Sequence, residues 1–234
     1  MKQFLLSVIF AFAFTQVFAQ KDVTTFLGIP VDGTKSEMMD KLKAKGFTYD
    51  KQSDKLEGDF NGIKSIIAIQ TMNNKVWRVT VADAAPSSES EIRVRFNNLC
   101  SQFDRKGDKY ICANESGFYI PDEEDISYEM TVNNKRYAAY YYQMPNMEIF
   151  NFDKSNERIR KSLLNQFTPE QIDNPTPEQA QVIDELTKKE TMKIATESIE
   201  SKPVWFMIGR YLNMYYIRLF YDNEYNNKNN GDDL

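Results

Sequence analysis

The side chains that could do chemistry in this 234-residue chain are carboxylates, two cysteines and many aromatics, with no histidine. The absence of histidine removes Ser-His and Cys-His nucleophile pairs and every histidine-ligated metal site. No nucleophile elbow, phosphate-binding loop or dinucleotide fingerprint occurs. The 34 acidic residues leave a glycosidase-type acid and base open, but no spacing singles out two of them. The run Asp122-Glu123-Glu124-Asp125 after Pro121 clusters oxygens of the kind hard cations need. Its spacing fits no calcium loop, and it reads as a solvated loop. The stretch from Asp222 to Asp233 lacks the glycine and final glutamate of a calcium loop. No cofactor, metal site or catalytic residue is expected.

The elements that must position these residues begin with a leader. Lys2 precedes an apolar run over residues 4–14, and Val17-Phe18-Ala19 suits cleavage before Gln20. Residues 1–19 are thus expected to be a signal peptide and 20–234 one α+β domain. The run is too short to span a bilayer, which takes about 20 apolar residues. The expected location is periplasmic or extracellular, with no membrane span after cleavage. The net charge of −5 argues against nucleic acid, which needs clustered positive charge. In an oxidising compartment Cys100 and Cys112 are a candidate disulfide; the alternative is two buried thiols acting as small hydrophobes.

Helix starts are well marked. Thr34-Lys35-Ser36-Glu37 and Ser88-Glu89-Ser90-Glu91 are capping boxes. Ile92, Phe96, Leu99 and Phe103 follow the second at helical spacing. Strands are expected at 48–50, 55–60, 63–71 and 76–82, then at 110–113, 117–120, 126–132 and 135–143, with a turn at Asn133-Asn134. In the fourth strand the alternation puts Val76, Arg78 and Thr80 on one face and Trp77, Val79 and Val81 on the other. Residues 153–202 form a helical insert, in which Thr168-Pro169-Glu170-Gln171 and Thr176-Pro177-Glu178-Gln179 each start a helix. A hairpin of strands at 204–208 and 214–221 follows, and the tail over 223–234 is expected to fray.

Aromatics concentrate in the strands. Tyr137, Tyr140, Tyr141 and Tyr142 crowd one, and Trp205, Phe206, Tyr211, Tyr215, Tyr216, Phe220 and Tyr221 the final hairpin. The last strand is apolar on both faces, with Tyr215, Ile217, Leu219 and Tyr221 on one and Met214, Tyr216, Phe220 and Arg218 on the other. A sheet covered on one side needs only one such face. Either the insert covers the second face, which the sequential order favours, or a partner does. Tyr140, Tyr142, Tyr216 and Phe220 are the candidate partner surface, for a protein or a glycan of the cell envelope.

The opening FLGIPVDGTKSEMMDKLKAKGF and the ending YYIRLFYDNEYNN resemble exported proteins of Gram-negative bacteria that have no assigned activity. The helix-then-strands order, used twice, resembles the tandem modules of β-lactamase inhibitor protein and of small outer-membrane assembly lipoproteins. That likeness is one of pattern. It carries no site residue, and the chain lacks the lipoproteins' cysteine at the cut.

The expected fold is α+β: antiparallel sheet with helices packed on one face, arranged as one or two helix-then-strands modules, plus the insert. The expected function is an exported, non-enzymatic binding protein acting through the aromatic sheet face or the insert. The alternatives are a carboxylate-dependent hydrolase of the cell envelope and a periplasmic structural or assembly factor.

Overall fold

The computed structural model describes residues 21–227. The expected signal peptide at 1–19 lies outside the described residues, as does the chain from 228 onward. A small hairpin, β1 (Thr25–Phe26) and β2 (Ile29–Pro30), opens the domain. Helix α1 (Lys35–Ala44) starts at the Thr34 capping box and buries Met38 and Leu42. Strands β3 (Thr48–Asp50), β4 (Lys55–Phe60), β5 (Ile63–Met72) and β6 (Lys75–Asp83) then pair in sequence order as an antiparallel meander.

The second half repeats the plan. Helix α2 (Glu89–Asp104) starts at the Ser88 capping box and buries Ile92, Phe96, Leu99 and Phe103, the stripe its spacing foretold. Full burial of Phe96 alone contributes about 1.5–3 kcal/mol. Strands β7 (Tyr110–Cys112), β8 (Ala138–Gln143), β9 (Pro203–Tyr211) and β10 (Met214–Asp222) again pair in order. The halves join through their last strands, β6 and β10, giving one eight-stranded antiparallel sheet ordered β3-β4-β5-β6-β10-β9-β8-β7. Helices α1 and α2 pack on the face that carries Ile67, Val79, Val81, Phe206, Ile217 and Leu219. Phe103 stacks on Tyr141 at 4.6 Å, and Phe96 meets Phe206 edge-on at 5.0 Å.

Three expectations fail around residues 117–132. Residues 117–120 are a loop, held by two hydrogen bonds between the Asn97 amide and the Ile120 backbone, of 2.8 and 2.9 Å. The segment read as a strand is helix α3 (Ile126–Thr131), because Asp125 caps it by accepting from Tyr128 N at 2.7 Å. Glu89 of α2 accepts from Ile126 N at 2.9 Å, which carries Ile126 into the core. Asn133-Asn134 therefore links α3 to β8 rather than two strands. In β6 the alternation is also broken. The register shifts at Gln70/Thr71 and leaves Trp77 as the extra residue, so Val76 turns into the core while Trp77 is half-buried.

The insert comprises α4 (Phe152–Leu163), α5 (Pro169–Asp173) and α6 (Pro177–Glu200), with both Thr-Pro-Glu-Gln boxes formed. It leaves from β8 and returns into the neighbouring β9, and Gln143 N donates to Lys202 O at 2.9 Å across its base. Helix α6 packs along α4, where Arg158 bonds Glu190 at 2.7 Å and Glu197 at 2.5 Å. The tail is anchored further than expected. Asn223 is buried and donates to Val31 O at 2.7 Å, and α7 (Glu224–Asn227) follows.

Candidate functional site on the helix-free face of the sheet

Alternation along the strands leaves a second face opposite α1 and α2, and the register lays its residues out in rows. One row reads Tyr140 (β8), Trp205 (β9), Phe220 (β10), Thr80 (β6) and Ala68 (β5). A second contains Asp222, Arg78 and Gln70, and a third Ala138, Met207, Arg218, Ala82 and Ile66.

The first row is a stack. Trp205 and Phe220 lie 4.0 Å apart with rings inclined by 18°, and Tyr140 and Trp205 lie 5.5 Å apart at 16°. Rings this parallel and this close cannot be coplanar, so they overlap and stand on edge from the sheet. Each face of Trp205 is covered by a neighbour. The Arg78 guanidinium lies alongside this pair, 5.0 Å from the Phe220 ring and 5.5 Å from the Trp205 ring, and sits 4.3 Å over Trp77. These cation–π contacts hold it against the side of the stack.

A buried acid fixes the cation. Asp222 is 2% exposed and accepts a bidentate pair from Arg78, Nε to Oδ1 and Nη2 to Oδ2, both at 2.6 Å. Trp205 Nε1 donates to Oδ2 of the same carboxylate at 2.9 Å. One carboxylate therefore orients both the guanidinium and the central indole. This accounts for Asp222, whose place in a calcium-loop-like stretch drew notice in the sequence.

Tyr140, Tyr142, Tyr216 and Phe220 all fall on this face, but they are not one patch. Tyr140 is 45% exposed, whereas Phe220, at 7%, is a covered member of the stack. Tyr142 is half-buried beside Pro203. Tyr216 lies two rows from Phe220 and lays its ring over Gly209, where a Cβ would stand 2.7 Å from its Cζ. The insert does not account for the cover of Phe220; Trp205 and Arg78 do. Ile217 and Leu219 are buried on the opposite face, as the register required. Sequence reasoning missed the role of Arg78. The signal was an arginine at the centre of an otherwise apolar strand.

The other marked residues serve the fold. Glu124 accepts from Tyr137 Oη at 2.5 Å and pairs with Lys135, and these partners hold its carboxyl below the usual range. No group of three or more potential ligands able to hold a metal ion occurs among the described residues. Cys100 and Cys112 are free thiols, so the disulfide open in the sequence is not formed. Cys100 sits on the buried side of α2, where burial pushes its thiol up to about 12. Cys112 is half-buried and directs its thiol to Asn114 O at 3.1 Å.

On the helical side, a cavity of about 320 Å³ opens between the β1–β2 hairpin and the end of α2. Leu99, Phe103, Tyr110 and Leu219 line it, with Lys106 and Asp59 beside them. No helix among the described residues is long and apolar enough to cross a membrane. No family model, curated protein or solved structure matches the chain.

Proposed function

We propose that this chain is an exported, non-enzymatic binding protein that docks a protein partner on the helix-free face of its sheet. The observation that carries the reading is the on-edge stack of Tyr140, Trp205 and Phe220 with Arg78 alongside. Tyr, Trp, Arg and Met are the residues enriched where protein interfaces derive their energy. Side chains already locked by stacking and by Asp222 lose little rotamer freedom on binding, which favours affinity. Between the two partner classes open in the sequence, the geometry favours protein. A sugar ring stacks on an open aromatic face, and here the faces of Trp205 are covered by Tyr140 and Phe220. The exposed edges form a ridge that apolar side chains can grip. Export rests on the leader read at 1–19.

The test compares capture of envelope proteins by the wild type, by a Tyr140→Glu, Met207→Glu face variant, and by a Met192→Glu variant of the exposed insert. The face variant loses the captured protein and the insert variant keeps it. Loss with Met192→Glu alone would move the interface to the insert. Binding to a glycan array that is abolished by the face variant would reverse the choice of partner class.

A further inference from the structure

Arg218 occupies the third row of the same face, opposite Met207 on β9 and Ala82 on β6. Its surroundings are apolar: Met207, Ala82, Phe220 and the Tyr216 ring, over which its guanidinium lies at 5.4 Å. Among the described residues it makes no ion pair and no hydrogen bond, and its Nε is buried without a partner. The two other arginines of the sheet are committed. Arg78 is held by Asp222, and Arg210 donates to Leu212 O at 2.8 Å and to Thr131 Oγ1, while Arg95 of α2 holds Asp83 at 2.8 Å. Asp83 also accepts from Ile217 N at 3.1 Å, so the acid nearest along the ladder is turned to the helical side. The acid in Arg218's own row is Glu57, three strands away across Ala82 and Ile66. At strand spacing that is roughly 14 Å.

A second orphan lies beside it. Thr80 pairs with Phe220, which places it diagonally across from Arg218, and its Oγ1 is buried without a partner. Two of the three orphaned buried side-chain polar atoms among the described residues are therefore neighbours on this one face. The Arg218 Nε is left unbonded where water does not reach it, which is unfavourable in the free protein, while the rest of the half-buried side chain stays open to a ligand. Its planar fork matches a carboxylate bidentately, and a hydroxyl alongside can donate a further bond.

We propose that Arg218, with Thr80 beside it, forms a socket for an aspartate or glutamate carboxylate on an acidic peptide segment of the partner, with a flanking apolar residue seated against Met207. This deepens the docking reading and rests on it. A single unpaired cation within an apolar patch suits one carboxylate. A membrane surface would call for a cluster of basic residues on a protein whose net charge is instead −5.

The test uses the full mature chain labelled with ¹⁵N-arginine and two peptide probes, Ac-Phe-Asp-Leu-NH2 and Ac-Phe-Asn-Leu-NH2, with inorganic phosphate as a third arm. The Arg218 Nε–H signal shifts saturably with the aspartyl peptide, and binding of the asparaginyl peptide is about tenfold weaker or more. Arg218→Gln abolishes the difference between the peptides, while Arg218→Lys, a point charge without the fork, keeps part of it. Arg218→Met binds neither preferentially and melts at a higher temperature than the wild type, because an uncompensated charge has been removed. Equal response to both peptides would overturn the socket, and so would a stronger response to phosphate. Lower stability of Arg218→Met would show a structural role instead. If Arg218→Gln captures envelope protein as well as the wild type while the face variant does not, the socket fails and the docking reading survives. If the face variant also captures normally, the docking reading fails.

Discussion

Removal of Asp222 should unfasten the helix-free face while leaving the helical side intact. The carboxylate is 2% exposed and holds three donors: two from Arg78 and one from Trp205. In Asp222→Ala the Arg78 guanidinium, with 21% of its side chain exposed, remains against Trp77, Trp205 and Phe220 with no acid. Breaking a buried pair by deleting one partner costs about 3–5 kcal/mol. A domain of this size loses about 2–4 °C per kcal/mol, so the melting temperature should fall by roughly 6–20 °C. Asp222→Asn keeps an acceptor for the indole and loses the charge; hydrogen bonds to charged groups are worth about 1.5–3 kcal/mol, which sets its expected cost. The double variant Arg78→Met, Asp222→Leu should recover only part of the loss: apolar replacement of the pair is near neutral, but the Trp205 N–H is left without its acceptor at about 1–3 kcal/mol. Guanidinium denaturation followed by tryptophan emission reads this directly, because the chain's two tryptophans, Trp77 and Trp205, both lie against Arg78. A loss under about 1 kcal/mol for Asp222→Ala, with wild-type emission, would show that the pair does not organise this face.

Within the stack, Phe220→Ala should cost about 3–5 kcal/mol because the ring is 7% exposed and packed against Trp205, while Tyr140→Ala, at 45% exposure, should cost under about 1 kcal/mol; equal costs would contradict the geometry. Glu124 is depressed by Lys135 and Tyr137, so its contribution is present above the ordinary glutamate value near 4.3 and is lost as pH falls through that value and below. Melting temperature should therefore drop on acidification with a shallower slope in Glu124→Gln, and should be nearly flat from pH 6 to 8 in a chain without histidine. Leu212 holds a φ of +55° at the β9–β10 turn while 75% exposed, so Leu212→Asn should add about 0.5–1 kcal/mol by denaturant titration. A thiol reagent in native buffer should label Cys112 well before Cys100, whose thiol is both buried and raised to about 12; equal rates would mean that α2 opens readily.

What the sequence determined by itself was everything written within a few residues. The capping boxes at Thr34 and Ser88 and the Thr-Pro helix starts at Thr168 and Thr176 all formed, because a cap joins a side chain to a backbone group three positions away. The burial stripe of α2 and the alternation of β10 were legible for the same reason. Helix α3 was misread because β-branched and aromatic residues favour a strand, while its decisive contacts include Glu89, 37 positions upstream. Only the tertiary structure decided that the two halves meet through β6 and β10, and that seam sets Arg78 against Asp222, 144 residues apart. The pairing of β8, β9 and β10 places Trp205 between Tyr140 and Phe220. The seam also leaves Arg218 facing Ala82 rather than an acid. Charge pairing and ring stacking depend on which strand becomes a neighbour and in which register, and both are settled only when the whole sheet closes on its core.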